Sequence, residues 1–204
     1  MEKMAKLYFK YGAMGSSKTA QALITKYNYE ENGLKVWLIK PSADTRDGEN
    51  ILRSRIGLFA PVEPIDPTVD IFELFAETRL GNCDIIIVDE CQFLPGCQID
   101  QLRGIVDEYD VPVMCFGLRT DFRTRLFPGS LRLMELADSI QEIKTICDCG
   151  NKATVNARID AGGYIVTEGA QVVLGGNDSY IAMCHRCYIR GIREHKKIKL
   201  HGQN

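Results

Sequence analysis

Residues 7–19 read LYFKYGAMGSSKT: a short strand, a turn of small residues, and Lys18-Thr19 where a helix opens. Such a connection suits a nucleoside triphosphate. Small residues let backbone N–H groups approach phosphate oxygens, the helix N-terminus favours negative charge, and a Lys-Thr pair reaches phosphate and Mg²⁺. A complete phosphate loop is written GxxxxGK[ST]. Gly12, Lys18 and Thr19 satisfy it, whereas Ser17 stands where the second glycine belongs. If that corner demands a positive φ, serine costs about 1–2 kcal/mol there.

A second signal lies downstream. Residues 85–88 (IIIV) form an unbroken apolar run, as expected of a strand buried on both faces, and the run ends in Asp89-Glu90. Ligands of parallel α/β sheets sit beyond the carboxyl ends of the strands. An Asp there serves Mg²⁺ and a following Glu can reach the reacting group.

The first two-thirds of the chain alternates β-branched runs with helical patterns and predicts a parallel sheet with helices on both faces. Expected strands are 7–11, 36–39, 85–88, 113–116 and 140–145. Expected helices run from about 17 to a stop at Gly33, and over 68–78, 98–109 and 130–137. Residues 61–67, PVEPIDP, carry too many prolines for either element and are expected to be a surface connection. After Cys147 the texture changes to a glycine-containing, β-rich module, with turns at Gly162-Gly163 and Gly175-Gly176. The expected division is a phosphate-loop α/β domain at 1–146, a small cysteine-bracketed module at 147–190 and a basic tail at 191–204.

With 204 residues, 45% of them hydrophobic, the chain has material for one ordinary domain and a small appendage. It contains no apolar run near the ~20 residues needed to span a bilayer, and MEKMAKLYFK lacks the pattern of a signal peptide, so a cytoplasmic location is expected. A net charge of −2 and a pI near 6.0 provide no general basic field for nucleic acid. The basic residues between Arg186 and Lys199 are the exception and read as a solvated helix end.

Eight cysteines without an export signal should be thiols. Cys83, Cys91, Cys97 and Cys115 are scattered among apolar segments, but Cys147, Cys149, Cys184 and Cys187 form two pairs separated by a loop, as in small zinc ribbons. Cys147-Asp148-Cys149 is one residue shorter than the usual CxxC. His185 is an alternative ligand. A redox CxxC is disfavoured because Cys184 and Cys187 are not expected to open a helix after a strand.

Six segments in order, GAMGSSKT, KPSADTR (40–46), VDECQF (88–93), FGLRTDF (116–122), FPGS (127–130) and LGGNDSYIAMCHRC (174–187), resemble the cellular, zinc-containing thymidine kinases. The departures are Ser17 for glycine and CxC where some members have CxxC.

The resemblance implies that Gly12, Ala13, Met14, Gly15, Ser16, Ser17, Lys18 and Thr19, with Asp89, Glu90, Cys91 and Gln92, bind ATP and Mg²⁺. It makes Glu90 the general base for the nucleoside 5′-hydroxyl, with Lys18 and Arg46 stabilising charge; Asp44 is a lesser candidate. The thymine would stack on Phe122, with Met14, Phe93, Leu118 and Phe127 shaping the pocket. A zinc-held lasso would read the base edge through its backbone, with Asn156, Val173, Gly175, Gly176 and Tyr180 as its expected contacts. Four cysteine ligands would leave the zinc no open position, so it would be structural. The resemblance further implies a homotetramer, acceptance of deoxyuridine and inhibition by dTTP, while charge balance and the short apolar runs predict no nucleic-acid or membrane partner.

Two other classes fit parts of this pattern. A zinc-ribbon phosphate-loop ATPase acting on DNA shares the loop, the acidic strand end and the cysteine pairs, but the chain is short and acidic. A nonenzymatic nucleotide sensor would follow if Ser17 weakens the loop.

Overall fold

The computed structural model describes residues 4–44, 48, 50–171 and 179–198, which fall into two compact units. The first contains β1 (Leu7–Tyr11), α1 (Lys18–Glu31), β2 (Val36–Pro41), β3 (Ile51–Arg53), β4 (Phe59–Pro61), β5 (Glu63–Ile65), α2 (Ile71–Thr78), β6 (Ile85–Val88), α3 (Gly96–Tyr109), β7 (Val113–Gly117), α4 (Pro128–Leu136) and β8 (Ser139–Glu142). Six of these strands make one parallel sheet in the order β5-β2-β6-β7-β1-β8. Each residue of β6 is buried, in keeping with its central place and its IIIV sequence. The edge strand β8 is the polar SIQE. Phe9, Ile39, Ile86, Phe75 and Leu102 are among the side chains that close the core between sheet and helices.

The helix ends follow local chemistry. Gly33 takes φ +76, its amide donates to the Glu30 carbonyl and the Leu34 amide donates to Tyr29, the paired closure that a left-handed glycine permits. Pro128 starts α4 two residues before the expected Ser130, because proline at the first helical position lacks only a donor that would go unused. Asp70 caps α2, accepting from the amides of Phe72 and Glu73 at 2.9 and 3.0 Å.

The proline-rich segment corrects the sequence-based expectation. Pro61 ends β4, which pairs antiparallel with β3, and Glu63–Ile65 is a sheet strand with Pro64 opposite Lys40 of β2. It lies at the sheet edge, where an amide missing from one side breaks no ladder.

The second unit comprises Gly12–Ser16, Arg119–Leu126 and the chain from Ile143 onward. Here β9 (Val155–Ile159) and β10 (Ser179–Met183) pair antiparallel, and α5 (His185–Arg193) follows. Helix α5 corrects one expectation: Cys184 does cap a helix that follows a strand. Its nine residues are too few to have displayed a long period. Cys147, Val155, Ala157, Ile159, Met183 and Tyr188 form this unit's own apolar core.

Replacing Asp70 with Ala removes the two-amide cap and should cost about 1 kcal/mol, lowering the melting temperature by roughly 2–4 °C. An unchanged melting temperature would show that the cap contributes nothing.

Candidate active site

In the first unit the Lys-Thr pair meets the acidic end of β6. Ser17, preceding α1, has φ 61 and ψ 26, so the corner does require the left-handed conformation and serine occupies it at a cost of about 1–2 kcal/mol. Lys18 is buried, and Thr19 Oγ1 donates to Asp89 Oδ2 at 2.8 Å. Asp89 is 1% exposed, and its Oδ1 has no hydrogen-bond partner among the described residues. Burial, reinforced by the neighbouring Glu90 charge, pushes its carboxyl up to about 7 against the opposing pull of Thr19 and Lys18. An orphaned buried carboxylate oxygen beside a threonine hydroxyl suits a hard divalent cation, and the donor set fits Mg²⁺.

Glu90 also lies in the left-handed region, at φ 50 and ψ 34. Outside glycine such a backbone persists only where its surroundings enforce it. Gln92, fully buried, supplies part of that enforcement: its Nε2 donates to Glu90 Oε2, while its Oε1 accepts from the Leu118 amide at 2.9 Å. Ser130 Oγ donates in turn to the Leu118 carbonyl at 2.6 Å. A Cβ at Gly117 would meet Cys91 Sγ and Gln92 Oε1 at 2.6 Å, so β7 must end in glycine for the carboxamide to pass. Cys91 is fully buried and its thiol is pushed up by desolvation, in the manner of an inert core cysteine. Phe93 and Phe127 meet edge to face at 5.7 Å.

The second unit holds the earlier half of the phosphate loop. A Cβ at Gly12 would collide with the Ile143 carbonyl and Ser16 Oγ, and Gly15 has φ +73. The Met14 amide donates to Asn156 Oδ1 at 2.8 Å, and Asn156 Nδ2 donates to the Thr120 carbonyl at 2.9 Å. Asp121, 2% exposed, gathers the 119–126 loop by accepting from the amides of Arg123 and Arg125, the Arg123 guanidinium and Gln171. Phe122 is 1% exposed, with the guanidiniums of Arg158 and Arg123 at 5.2 and 5.4 Å from its ring centroid. Tyr180 lies on β10, half-buried, paired with Arg158. Arg46, Val173, Gly175 and Gly176 lie outside the described residues.

The four paired cysteines converge. Sγ atoms of Cys147, Cys149, Cys184 and Cys187 all lie within 4.8 Å of one another, and Cys149 and Cys184 are 3.6 Å apart. A tetrahedral zinc with Zn–S near 2.3 Å needs sulfurs about 3.8 Å apart, so this set fits. The short CxC is accommodated by a turn in which Gly150, at φ +81, lets its amide return to the Cys147 carbonyl at 2.8 Å. Donors from Asn151, the backbone amide first, hold the Cys149 thiol down to about 6 and favour a thiolate. His185 is the first residue of α5 and is not in this cluster.

Sequence reasoning missed the Gln92 clamp, the Asp121 hub and Tyr188, whose hydroxyl donates to the Phe122 carbonyl at 2.9 Å. Gln92 was expected at ATP and not at Glu90, Asp121 gathers amides two and four residues along its own loop, and Tyr188 acts on a carbonyl brought close by the fold.

The parallel sheet, the Lys-Thr helix start and the acid at a strand end define a phosphate-loop nucleotide-binding α/β protein. The thymidine kinase family model matches residues 5–188, and the chain belongs to that family. A thymidine kinase of Legionella pneumophila (strain Lens) is 46% identical over 190 residues, covering 92% of this chain and 91% of that protein. One of Ruegeria pomeroyi is 44% identical over 185 residues (90% and 93%), and one of Agrobacterium fabrum 42% over 187 (91% and 97%). Among solved structures, the Pif1 helicase of Candida albicans aligns at a TM-score of 0.41 and 15% identity over 70% of this chain and 36% of that one, too slight a likeness to bear on function.

The buried Asp89 predicts a pH effect. Its carboxyl in the folded protein titrates near 7, above the 3.8 of a free aspartate. The fold therefore holds a proton that the unfolded chain releases, a contribution fully present below about 3.8 and lost as pH rises through about 7. In magnesium-free buffer, Asp89→Asn should gain in melting temperature over the parent as pH rises from 5 to about 8. Parallel pH profiles would overturn this.

Proposed function

We propose that the chain transfers the γ-phosphate of MgATP to the 5′-hydroxyl of thymidine to give dTMP, and that it also accepts deoxyuridine. The observation that carries this reading is Asp89, with one oxygen bound by Thr19 and the other buried without a hydrogen-bond partner among the described residues. Thr19 and Asp89 would hold Mg²⁺, which would supply positive charge against the charge of the transferring phosphates. Lys18 and the loop amides would draw the triphosphate into line, and Arg46 would stabilise the transferring group.

Phosphoryl transfer asks more of positioning than of covalent chemistry. Glu90 would take the proton of the 5′-hydroxyl as its oxygen attacks phosphorus. Gln92 keeps one carboxylate oxygen of Glu90 engaged, which limits the rotation of the base. Thymine is assigned to Met14, Phe93, Leu118, Phe122, Phe127 and Tyr180, with Val173, Gly175 and Gly176 supplying lasso contacts. The four cysteines would hold one structural zinc. The proposal extends to a cytoplasmic homotetramer inhibited by dTTP, in keeping with the family.

An assay of ADP release with thymidine, deoxycytidine or no acceptor tests the reaction. Turnover should require thymidine, and Glu90→Gln should lower kcat by about 10²- to 10⁴-fold. Acceptor-independent turnover, or an unimpaired variant, would sink the mechanism. Purified protein never exposed to chelator should contain about one zinc per chain, and Cys184→Ser should lose it. A sample with less than about half an equivalent would count against a structural site.

A further inference from the structure

Strand β9 carries two sets of side chains. Val155, Ala157 and Ile159 belong to the apolar core beside the cysteine cluster. Strand alternation turns Asn156 and Arg158 to the other face. Asn156 is 3% exposed, and its carboxamide bridges two backbone groups: it accepts the Met14 amide at 2.8 Å and donates to the Thr120 carbonyl at 2.9 Å. A second contact from the same unit, Thr145 Oγ1 to the Gly15 carbonyl at 3.5 Å, falls two peptides further along the loop.

Phosphate loops act by aiming peptide N–H groups. The Met14 N–H is aimed at Asn156, which fixes the plane of the peptide it belongs to and thereby the direction of its neighbours. A loop ordered in advance loses less entropy when a ligand arrives. The carboxamide expected to touch the nucleoside is thus spent on the phosphate loop and on the 119–126 loop.

We propose that Asn156 is a positioning residue for the phosphate donor: through it, the cysteine-held module sets the Met14–Gly15 corner, and ATP affinity depends on that module. The proposal rests on reading residues 12–19 as the ATP loop. It differs from a lasso that serves the nucleoside alone.

Calorimetric binding of a non-hydrolysable ATP analogue with Mg²⁺ to the full chain tests it, with thymidine binding, zinc content and melting temperature measured on the same samples. For Asn156→Ala the analogue Kd should rise about tenfold with zinc retained, because the Met14 peptide loses its anchor. An unchanged analogue Kd overturns the proposal, as does the opposite split, in which thymidine binding weakens and analogue binding does not.

Should Asn156→Ala lose zinc or fail to fold, Asn156→Leu decides. It keeps the side-chain shape without the donor and acceptor, so the analogue should bind at least about tenfold more weakly with zinc in place. Parental affinity in that variant overturns the proposal, and so does loss of fold in both, which would make Asn156 structural only. A parent that binds the analogue but not thymidine would count against the acceptor assignment, while the analogue Kd alone still decides the role of Asn156.

Discussion

Asp89 is the constraint around which the first unit is arranged. A carboxylate removed from water at the end of a central strand is unfavourable unless something answers its charge. Thr19 answers one oxygen with a single hydrogen bond, and Lys18 lends a charge. The other oxygen has no hydrogen-bond partner among the described residues. A protein selected for stability alone would place an apolar residue there and extend the strand. Instead the acid faces the start of α1, and the serine corner before that helix accepts its own strain to bring Lys18 and Thr19 round. Two unfavourable local choices, at Ser17 and Asp89, therefore sit on either side of the same hydrogen bond.

The second unit solves a different problem. It has few large apolar side chains, and its core includes two of the four clustered cysteines, Cys147 and Cys184. Small cores of this kind commonly depend on a metal for folding free energy. Backbone hydrogen bonds supplied by side chains do much of the remaining work: Asp121 collects amides of its own loop, Tyr188 holds the Phe122 carbonyl, and Asn156 joins Met14 to Thr120. Loops tied in this way keep one conformation without needing apolar bulk.

What was legible in the sequence was what repeats or punctuates. IIIV announced a strand buried on both faces, Gly33 announced a left-handed stop, and Gly12, Lys18 and Thr19 announced a phosphate loop. PVEPIDP misled because proline is excluded from the interior of a sheet but not from its edge, and edge status is a property of the assembled order β5-β2-β6-β7-β1-β8. Helix α5 was obscured by its brevity and by the cysteines at its start. The four metal-ligating candidates could be chosen from spacing, but the dual role of Cys184, as cluster member and as the cap that accepts the Cys187 amide, could not. Gln92 and Asn156 were visible as members of motifs or modules, yet each accepts from a backbone amide far away in the chain, of Leu118 and of Met14.

The glycine that closes β7 has a wider consequence. Gly117 does not mark a bend, since it belongs to a regular parallel pairing with Tyr11. It is small because the carboxamide of Gln92 occupies the volume a methyl group would fill. Tolerance to change is therefore uneven along this strand: core positions such as Val113 answer to packing, whereas a single added carbon at Gly117 would be transmitted through Gln92 to the carboxylate of Glu90. A deep mutational map of this chain would record a sharp functional boundary at the last residue of β7, inside what looks in backbone terms like uninterrupted scaffold.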